Sequence, residues 1–560
     1  MVIKNSKIIR YFKDKRILIA GVNVEDQEAN NIDLHSLFKT AFKKVITFDL
    51  RKQYFLHGSK TLNENFINIL KKETPEYILL ILGYDELDLE SLKKIKEICP
   101  NTKVFIQYGD DRWKFDDWAR YYSLFSDYVL TTEKENSYYK EDGINDVYPW
   151  YGVDIKLFKP NNLKKIYDTS FIGCPMSNRG DYVKFLTDKV NIKLFGGGWD
   201  AYPELKKVYK GYLDSEEYSN TINKTKINIS FSKSYYPGRG DTHFKSRLFE
   251  VFATNSFLLV EYYPQLKLYY NKYYDKISFN SKNELLKKIK YYLENEEEMK
   301  KMTEYFYKET IKNYSWEKQL ENLLHILYKD RDRKPKKELP KLKNKIIELN
   351  EEDLKKPSDY LKQKTKSFDY ICFKKDETLP SKYKTYFQIY SLEKSKKQIS
   401  CCDYHLYSKK LGDYMLFTAK RAFETIEDKN NFNKLLNINQ IAVTKNFFFN
   451  NLKKFKKIFN NDTIDFINND NTVFISIPLV QIKNLRIKSD NEINKAFRMK
   501  FFDKLYLLIQ SKKIISNRYI YDFFIESLFR GDFLLLKSFF GYIFNKENLI
   551  RLVAVKRSVN

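Results

Sequence analysis

The sequence predicts an α/β fold in which two doubly wound domains face each other across a cleft, followed by a mainly helical α+β region. Three observations carry this prediction. Short apolar runs alternate with helical patterns over residues 16–150, the same alternation starts again near residue 160, and the chain of 560 residues is too long for one core. Strands that alternate with helices indicate a parallel sheet with helices on both faces.

The first predicted sheet consists of strand-sized apolar runs. Arg16–Gly21 is short, apolar and ends in glycine, as is typical of a buried parallel strand. A helical pattern spans Leu89–Ile98. The other predicted strands of this domain are Lys44–Asp49, Tyr77–Leu82, Lys103–Tyr108 and Tyr128–Thr131.

The second predicted sheet follows the same pattern. Helices are predicted near 179–189, 215–223, 244–254 and 282–328. The predicted strands are Asp168–Gly173, Ile192–Gly196, Lys226–Phe231, Ser256–Val260 and Lys276–Phe279. Open α/β sheets bind ligands at the carboxyl ends of their strands, so we expect a ligand between the two domains.

These patterns divide the chain into four segments. Residues 1–155 form the first α/β domain and residues 156–330 the second. Residues 331–362 are charged and contain prolines, which predicts a linker or a solvated helical hairpin. Residues 363–560 form an accessory region whose last part is predicted to be helical, with Phe- and Leu-rich faces in Phe501–Ile515 and Tyr519–Ile543.

Composition restricts the class of protein only in part. The net charge of +27 attracts nucleic acid, anionic membranes or phosphorylated ligands, but many Lys and Asn with few Gly and Pro also follow from AT-rich coding. The five cysteines form no C-x-x-C pair, which argues against zinc and a disulfide framework. No apolar run reaches the roughly 18 residues of a membrane helix, and the charged start is no signal peptide. We therefore expect a cytoplasmic protein with, at most, peripheral contact to a membrane.

Two loops that follow predicted strands are candidates for anion binding. The loop that ends at Arg179 leads into a helix, so its backbone N–H groups face a site where an anion binds, and the guanidinium can clamp a diphosphate. The glycines around Gly197 follow the next strand and permit a close approach to a ligand. The alternatives are an ordinary strand–helix turn with a surface arginine and a tight turn without a ligand.

A third segment, residues 240–261, has more features in common with a nucleotide site. Lys245 and Arg247 stand just ahead of a predicted helix, where basic side chains suit phosphate. Glu250 lies one turn further on, and its carboxylate can accept hydrogen bonds from both hydroxyls of a ribose. The alternative is a capped amphipathic helix with surface charges.

The order of these motifs resembles the spore-maturation-protein (CgeB-type) glycosyltransferases, which are relatives of the group 1 glycosyltransferases with the GT-B fold. The likeness extends over both α/β domains, and one of its two ten-residue stretches of unbroken match is Phe244–Ala253. Further matches lie at 107–111, 126–131, 151–160, 171–180, 194–199, at Tyr218, and at 257–261 and 314–316. The resemblance implies two Rossmann-like domains, the first on the acceptor side and the second binding the nucleotide-sugar.

The resemblance also implies roles for individual residues. Glu250 matches the second of two donor-contacting glutamates, whereas the first falls on Thr242, so Asp241 or His243 is expected to replace it on the sugar side. The diphosphate is expected at Lys245 and Arg247, with Arg179 and Gly197 on neighbouring loops. No cofactor and no essential metal are implied, because cationic side chains neutralise the leaving diphosphate.

Asp110 and Asp111 follow a strand of the first domain and are therefore expected at the cleft. Several roles remain open for this acidic pair. It can hold a divalent ion, act as general base, orient the acceptor hydroxyl, or belong to a solvated turn.

We therefore expect a sugar transferase, specifically a retaining hexosyltransferase, whose donor is a nucleotide diphosphate-sugar. Its acceptor is a glycan, a protein or a lipid carrier. The alternatives are an inactive sugar-binding scaffold, favoured by Thr242, and a basic nucleic-acid-binding protein, which the carboxylate of Glu250 disfavours. Residues 363–480 carry a fainter likeness to the acceptor half of family 2 glycosyltransferases, at Ile399–Tyr404 and Ala442–Phe449. The whole region 363–560 is expected to dock an acceptor or to pack on the first two domains.

Overall fold

The structure is a computed structural model that describes residues 6–482 apart from internal gaps. The gaps are residues 23, 26–32, 84–85, 110, 162, 200–201, 239, 337, 375–377, 382, 409–412, 418–439, 459–465 and 469. Asp110 and the predicted helical faces at 501–515 and 519–543 therefore lie outside the described residues. The chain divides into two compact units, Met1–Lys341 and Leu342–Asn560, and each is described by itself.

The first domain of unit 1 contains a six-stranded parallel sheet. Its strands are β1 (Arg16–Gly21), β2 (Lys44–Asp49), β3 (Tyr77–Ile81), β4 (Lys103–Gln107), β5 (Tyr128–Thr131) and β6 (Val147–Pro149). The order β2-β1-β3-β4-β5-β6 changes direction at β1, which is the topological switch of a doubly wound sheet. Ligands bind in such sheets at the carboxyl ends of the strands beside the switch.

Helices cover both faces of this sheet because their apolar sides recur at helical spacing. In Leu89–Ile98, for example, Leu89, Leu92 and Ile95 are buried, and Asp88 caps the first turn by accepting from the Ser91 N–H. The described helices of the domain are α1 (Ser6–Phe12), α2 (Leu34–Lys39), α3 (Leu50–Glu73), α4 (Leu89–Ile98), α5 (Asp111–Lys114), α6 (Arg120–Ser123) and α7 (Ser137–Glu141), with a π-helical turn at Phe115–Ala119.

The second domain of unit 1 contains a five-stranded parallel sheet and a separate hairpin. The sheet strands are β7 (Tyr167–Ile172), β8 (Ile192–Phe195), β9 (Thr225–Ser230), β12 (Phe257–Glu261) and β13 (Ser278–Phe279), in the order β13-β12-β9-β7-β8. The hairpin, which the sequence did not predict, consists of β10 (Lys233–Gly238) and β11 (Gly240–Thr242).

The helices of the second domain place several of the candidate residues. They are α8 (Arg179–Leu186), α9 (Ser215–Lys224), α10 (Arg247–Ala253), α11 (Leu266–Tyr269), α12 (Tyr274–Ile277), α13 (Lys282–Glu294), α14 (Glu296–Tyr314) and α15 (Trp316–Lys329), together with a 3₁₀ turn at Pro203–Leu205. Helix α9 starts with a capping box in which the side chains of Asp214 and Glu217 each accept from the other's backbone N–H.

The sequence predicted most of these strands to within one residue at either end. The prediction for Lys276–Phe279 is wrong in its first half, because Tyr274–Ile277 forms a short helix and only Ser278–Phe279 pairs with β12. The helix predicted for 282–328 is three helices. The breaks lie at Asn295 and Ser315, both in N-cap positions.

Helix α15 returns from the second domain to the first. Its apolar face joins the core beneath the first sheet, where the Trp316 ring lies 5.1 Å from that of Trp150. Behind the helix, Arg333 pairs with Asp146 at 2.8 Å and the Lys336 N–H donates to Asp127 at 2.6 Å. The last residues of unit 1 are thus bonded to its first domain.

Unit 2 contains a seven-stranded mixed sheet. Its strands are β14 (Ile346–Leu349), β15 (Tyr370–Phe373), β16 (Thr378–Pro380), β17 (Ile399–Ser408), β18 (Asp413–Phe417), β19 (Ile441–Thr444) and β20 (Thr472–Ile482). Its described helices are α16 (Glu351–Lys355), α17 (Ser358–Lys364), α18 (Lys384–Ser395), α19 (Lys445–Asn450) and α20 (Leu452–Ile458). Strand β14 lies inside the predicted linker 331–362 and pairs in parallel with β15, so this part of the chain belongs to unit 2.

The predicted α/β fold class is confirmed by two helix-covered parallel sheets in unit 1, followed by an α+β unit. Within the residues that the structure describes, no helix has both the length and the apolar character needed to cross a bilayer.

We expect a chain that ends at Lys341 to fold on its own with one cooperative thermal transition, because unit 1 contains its own cores and closes on itself at Asp127 and Asp146. A chain that ends at Lys329 is the control. It lacks Arg333 and Lys336 and should therefore melt several degrees lower. Circular dichroism on heating measures both, and absence of a cooperative transition in the longer chain contradicts the assignment.

Candidate functional site

Two guanidinium groups of the second domain meet over one aromatic ring. Arg179 begins α8, after the loop that follows β7. Arg247 begins α10, after the loop that follows β11. Their guanidinium carbons lie 5.8 Å and 5.7 Å from the centre of the buried Phe171 ring in β7. The fold thus brings together two cations that are far apart in sequence.

Among the described residues, neither guanidinium of this pair is in salt-bridge contact with a carboxylate, and Glu261 attracts Arg179 only from a longer distance. Burial, followed by the repulsion from Arg247, lowers the pKa of Arg179 to about 10. The Arg179 Nε is buried and has no hydrogen-bond acceptor among the described residues. Two neighbouring cations with unused donors form a site that suits an anion carrying more than one charge.

Glu261 fixes the loops on which the guanidinium pair stands. It is buried at the end of β12, and one carboxylate oxygen accepts from the Asn178 side chain at 2.6 Å, one residue before Arg179. The other oxygen accepts from the N–H groups of Ser232 and Lys233, each at 3.0 Å. All of these bonds are internal, so Glu261 supports the site and does not offer an acceptor to a ligand.

Tyr218 links Arg247 to Glu250. Its hydroxyl donates to Oε2 of Glu250 and accepts from Nε of Arg247 at 3.3 Å. Burial raises the pKa of Tyr218, so the hydroxyl keeps its proton and remains a donor. Oε1 of Glu250 has no hydrogen-bond partner among the described residues, which leaves one oxygen to accept from a ligand hydroxyl beside the guanidinium pair.

Lys245 and His243 contact each other through Nζ and Nε2. His243 is buried and its backbone N–H donates to the Ser232 carbonyl at 3.1 Å. The structure therefore brings Arg179, Arg247 and Glu250 together, whereas it places Lys245 against His243. Asp241 lies in β11, and its side chain is outside the described residues.

Asp111 is buried in the first domain with 1% of its surface exposed. It accepts from the hydroxyls of Thr131 at 2.7 Å, Tyr139 at 2.8 Å and Tyr138 at 3.3 Å. Burial raises its pKa to about 6 despite these bonds. Its place is inside a hydroxyl network, and the roles as base or acceptor-orienting group stay predictions. In the described residues, no group of three or more His, Cys, Asp and Glu side chains is arranged to hold a metal ion.

The glycines after β8 differ in the space around them. Gly196 has φ +110°, and a Cβ there would lie 2.7 Å from the Gly173 carbonyl oxygen, which also accepts from the Trp199 indole at 2.6 Å. Around Gly197, by contrast, a Cβ would meet no described atom within 4 Å. Gly196 is therefore required by the fold, and Gly197 borders open space beside the β7–α8 loop.

Sequence reasoning gave no roles to Phe171, Tyr218, Glu261 and Glu133. Phe171 and Glu261 stood inside quoted motifs, but as strand residues, and Tyr218 was only a matching position. Glu133, which follows β5, accepts from the Phe244 N–H at 2.9 Å across the two domains. Each of these partners lies on a different element, so only the fold makes the contact visible.

With this geometry established, comparison with known proteins gives a class for one segment. Residues 179–325 match the family model described as glycosyl transferase-like. A sequence comparison with curated proteins gave no match. The matched segment contains Arg179, Tyr218, Arg247 and Glu250, whereas Phe171 precedes it.

Several solved structures are similar over a little more than half of the chain. Anabaena HepE in complex with UDP-glucose has 9% identity and a TM-score of 0.40, and the match covers 56% of this chain and 100% of that one. A glycosyltransferase from Rickettsia africae has 14% identity and a TM-score of 0.41, with 57% and 99% covered. T4 phage β-glucosyltransferase has 12% identity and a TM-score of 0.36, with 56% and 98% covered.

We expect Gly196→Ala and Gly197→Ala to differ in what they impair. Gly196→Ala forces a Cβ into the left-handed region and against a carbonyl oxygen, so it should destabilise unit 1 by about 1–3 kcal/mol. Gly197→Ala meets open space and should leave the unfolding midpoint unchanged. Thermal unfolding of both variants checks this, and equal midpoints for the two contradict the backbone assignment.

Proposed function

We propose that this chain is a glycosyltransferase that moves a sugar from a nucleotide diphosphate-sugar to an acceptor hydroxyl. The observation that carries the proposal is the guanidinium pair of Arg179 and Arg247, which makes no salt bridge to a carboxylate among the described residues and lies beside a carboxylate oxygen of Glu250 with no partner there. A diphosphate joined to a ribose carries negative charge next to hydroxyl donors. The protein carries the complementary groups side by side, two guanidinium cations next to a carboxylate oxygen. The match of 179–325 to a glycosyl transferase-like model supports the same class.

The proposed donor site assigns one part of the ligand to each group. Arg179 and Arg247 bind the diphosphate, Glu250 accepts from the ribose hydroxyls, and the open space at Gly197 admits the ligand close to the backbone. Lys245 is proposed as a third phosphate contact, reached from its position beside His243. Asp241 and His243 stand nearest in sequence to the position expected on the sugar side.

The chemistry that these groups supply is stabilisation of a leaving group. The bond between the anomeric carbon and the diphosphate oxygen breaks, and its electron pair stays on that oxygen. The acceptor oxygen forms the new bond to the anomeric carbon, and its proton passes to the departing diphosphate oxygen. Two fixed cations beside the diphosphate stabilise the charge that develops on it without any rearrangement. We propose a retaining hexosyl transfer that needs neither cofactor nor metal, because the cations are side chains.

Two other functions remain as competitors. A nucleic-acid groove would track phosphates with cations and has no use for the buried Glu250 carboxylate next to Arg247. An inactive sugar-binding scaffold is favoured by Thr242, which stands where the resemblance implies a glutamate. Hydrolysis of labelled nucleotide sugars separates this scaffold from an enzyme.

We propose that the acceptor is a glycan, a protein or a lipid carrier, and that unit 2 contributes to docking it. Lysine-rich stretches such as Leu452–Ile458 give this unit basic surface, which would attract an anionic polysaccharide, a phosphorylated carrier or the face of a membrane. The proposed location is the cytoplasm, with peripheral membrane contact.

Replacing the guanidinium pair should weaken binding of a nucleoside diphosphate. We expect Arg179→Ala and Arg247→Ala to cost about 1.5–3 kcal/mol each, or about ten- to hundredfold in Kd, because each removes charge-assisted hydrogen bonds. Calorimetry with UDP and with GDP measures this. Lys184→Ala on the same helix as Arg179 is the control, because its side chain is 59% exposed and pairs with Glu204 instead.

Lys245→Ala separates two versions of the site. A loss equal to that of Arg247→Ala indicates that Lys245 swings onto the phosphates, whereas a small loss leaves the diphosphate to the two arginines. If Arg179→Ala combined with Arg247→Ala binds both nucleotides as the native chain does, the donor-site assignment is wrong.

The chain that ends at Lys341 tests the role of unit 2. We expect it to hydrolyse the donor at the rate of the full chain, because the proposed donor residues all lie in unit 1. Transfer to the native acceptor should be lost. Transfer at the native rate by the shortened chain would exclude acceptor docking by unit 2, and the rate of product release from a labelled donor measures both activities.

A further inference from the structure

The segment Thr132–Glu135, which follows β5, makes contacts between the two domains. The Thr132 carbonyl accepts from the Tyr269 hydroxyl at 2.7 Å, and the Glu135 N–H donates to Oε1 of Gln265 at 2.7 Å. Lys134 donates to the Leu268 carbonyl at 2.7 Å and to the Tyr314 hydroxyl at 2.8 Å. All these partners belong to the second domain, so this segment of the first domain sets how the second domain is held.

Within this segment, Glu133 contacts the strand-to-helix loop that carries donor residues. Its Oε1 accepts from the Phe244 N–H at 2.9 Å and its Oε2 accepts from the Gln265 side-chain amide. The side chain is 1% exposed, and the cation beside it is Arg112, with Nη1 3.8 Å from Oε2. The carboxylate is therefore fully committed between the two domains.

The loop that Glu133 holds runs directly into α10. His243 is fixed on its other side by the bond from its N–H to Ser232, and the Phe244 ring stacks on Tyr269 with centroids 5.0 Å apart. Lys245 and Ser246 follow, and then Arg247 and Glu250 on the first turn of the helix. The bond from the Phe244 N–H thus lets the first domain hold the loop that precedes Arg247 and Glu250.

We propose that Glu133 is a positioning residue of the first domain that orients the donor-binding loop of the second domain through the Phe244 N–H. The inference rests on the proposed function. It adds that donor affinity depends on a residue that does not touch the donor and lies outside residues 179–325. Glu133 accepts from the Phe244 N–H of the loop and from the amide of Gln265 at the same time. The position of the loop is therefore set by the contact between the two domains.

Two variants test this proposal. One removes the acceptor at position 133, and the other exchanges the side chains at positions 133 and 265 while keeping their hydrogen bonds. Glu133→Ala removes the acceptor of the Phe244 N–H and should weaken the binding of UDP or GDP, whichever the native chain binds more tightly, at least tenfold. In the double variant Glu133→Gln, Gln265→Glu, the amide oxygen introduced at position 133 still accepts from Phe244. The new amide nitrogen donates to the carboxylate introduced at position 265, which also accepts from the Glu135 N–H. Affinity should return to within about threefold of the native value.

Lys134→Met is the matched control, because it removes contacts between the domains but none to the donor loop. It should leave the Kd unchanged. An equal loss with Lys134→Met attributes the effect to domain contact in general and overturns the proposal, as does an unchanged Kd in Glu133→Ala. If the double variant does not fold, the amide exchange of residues 243–250 in Glu133→Ala decides, and exchange unchanged from that of the native chain overturns the proposal.

Amide hydrogen exchange separates this inference from the proposed function. Exchange in 243–250 should rise in Glu133→Ala and not in Lys134→Met, whether or not a nucleotide binds. If the native chain binds neither nucleotide, the proposed function fails, and the exchange of this segment still supports or overturns the positioning role.

Discussion

The structure of the second domain depends on one electrostatic constraint. The guanidinium groups of Arg179 and Arg247 are held together over the Phe171 ring and, among the described residues, lack a carboxylate between them. Like charges repel most strongly where water is excluded, and this repulsion, with burial, is what lowers the pKa of Arg179. The ring face and the Tyr218 hydroxyl offset part of the cost, since each attracts a cation or accepts from it. We propose that a ligand with two negative charges removes the remainder of this cost, so that the pair serves binding and not stability.

Holding such a pair in place requires support that takes no part in binding. Glu261 commits both carboxylate oxygens to the loops before Arg179 and after β9, and Gly196 lets two loops cross at a distance that no Cβ permits. Glu261 and Gly196 thus stabilise the loops that hold the two guanidinium groups close to each other. Functional sites commonly break a local rule in this way, with compensation in the surrounding structure. Gly197 and Gly196 differ for the same reason, because a Cβ at position 197 would meet open space whereas a Cβ at position 196 would meet the Gly173 backbone.

Most strands and several site residues could be predicted from the sequence. Contacts between residues far apart along the chain could not. Strands such as Arg16–Gly21 and Tyr128–Thr131 were predicted at their observed bounds because buried parallel strands are apolar over their whole length. Arg179, Arg247 and Glu250 were predicted because each stands at a fixed place in a strand–loop–helix motif. The sequence could not predict that Lys245 contacts His243 while Arg247 contacts Tyr218, since both cations stand within two residues of the start of the same helix. Glu133 and Phe244 are distant along the chain, and no periodicity relates a carboxylate in one domain to an N–H in the other.

The residues of the proposed site and its support do not all lie within the segment 179–325. The guanidinium pair, Tyr218 and Glu250 all lie within it, whereas Phe171 precedes it and Glu133 belongs to the other domain. Helix α15 begins in the second domain and ends in the core of the first, so the chain itself prevents the two halves from separating far. A site whose ligand contacts come from one domain and whose loop support comes from the other binds its ligand well only while the domains hold their contact. The buried carboxylate of Glu133 is where that dependence is located, because its two oxygens accept from the donor loop and from the amide of Gln265 at the same time.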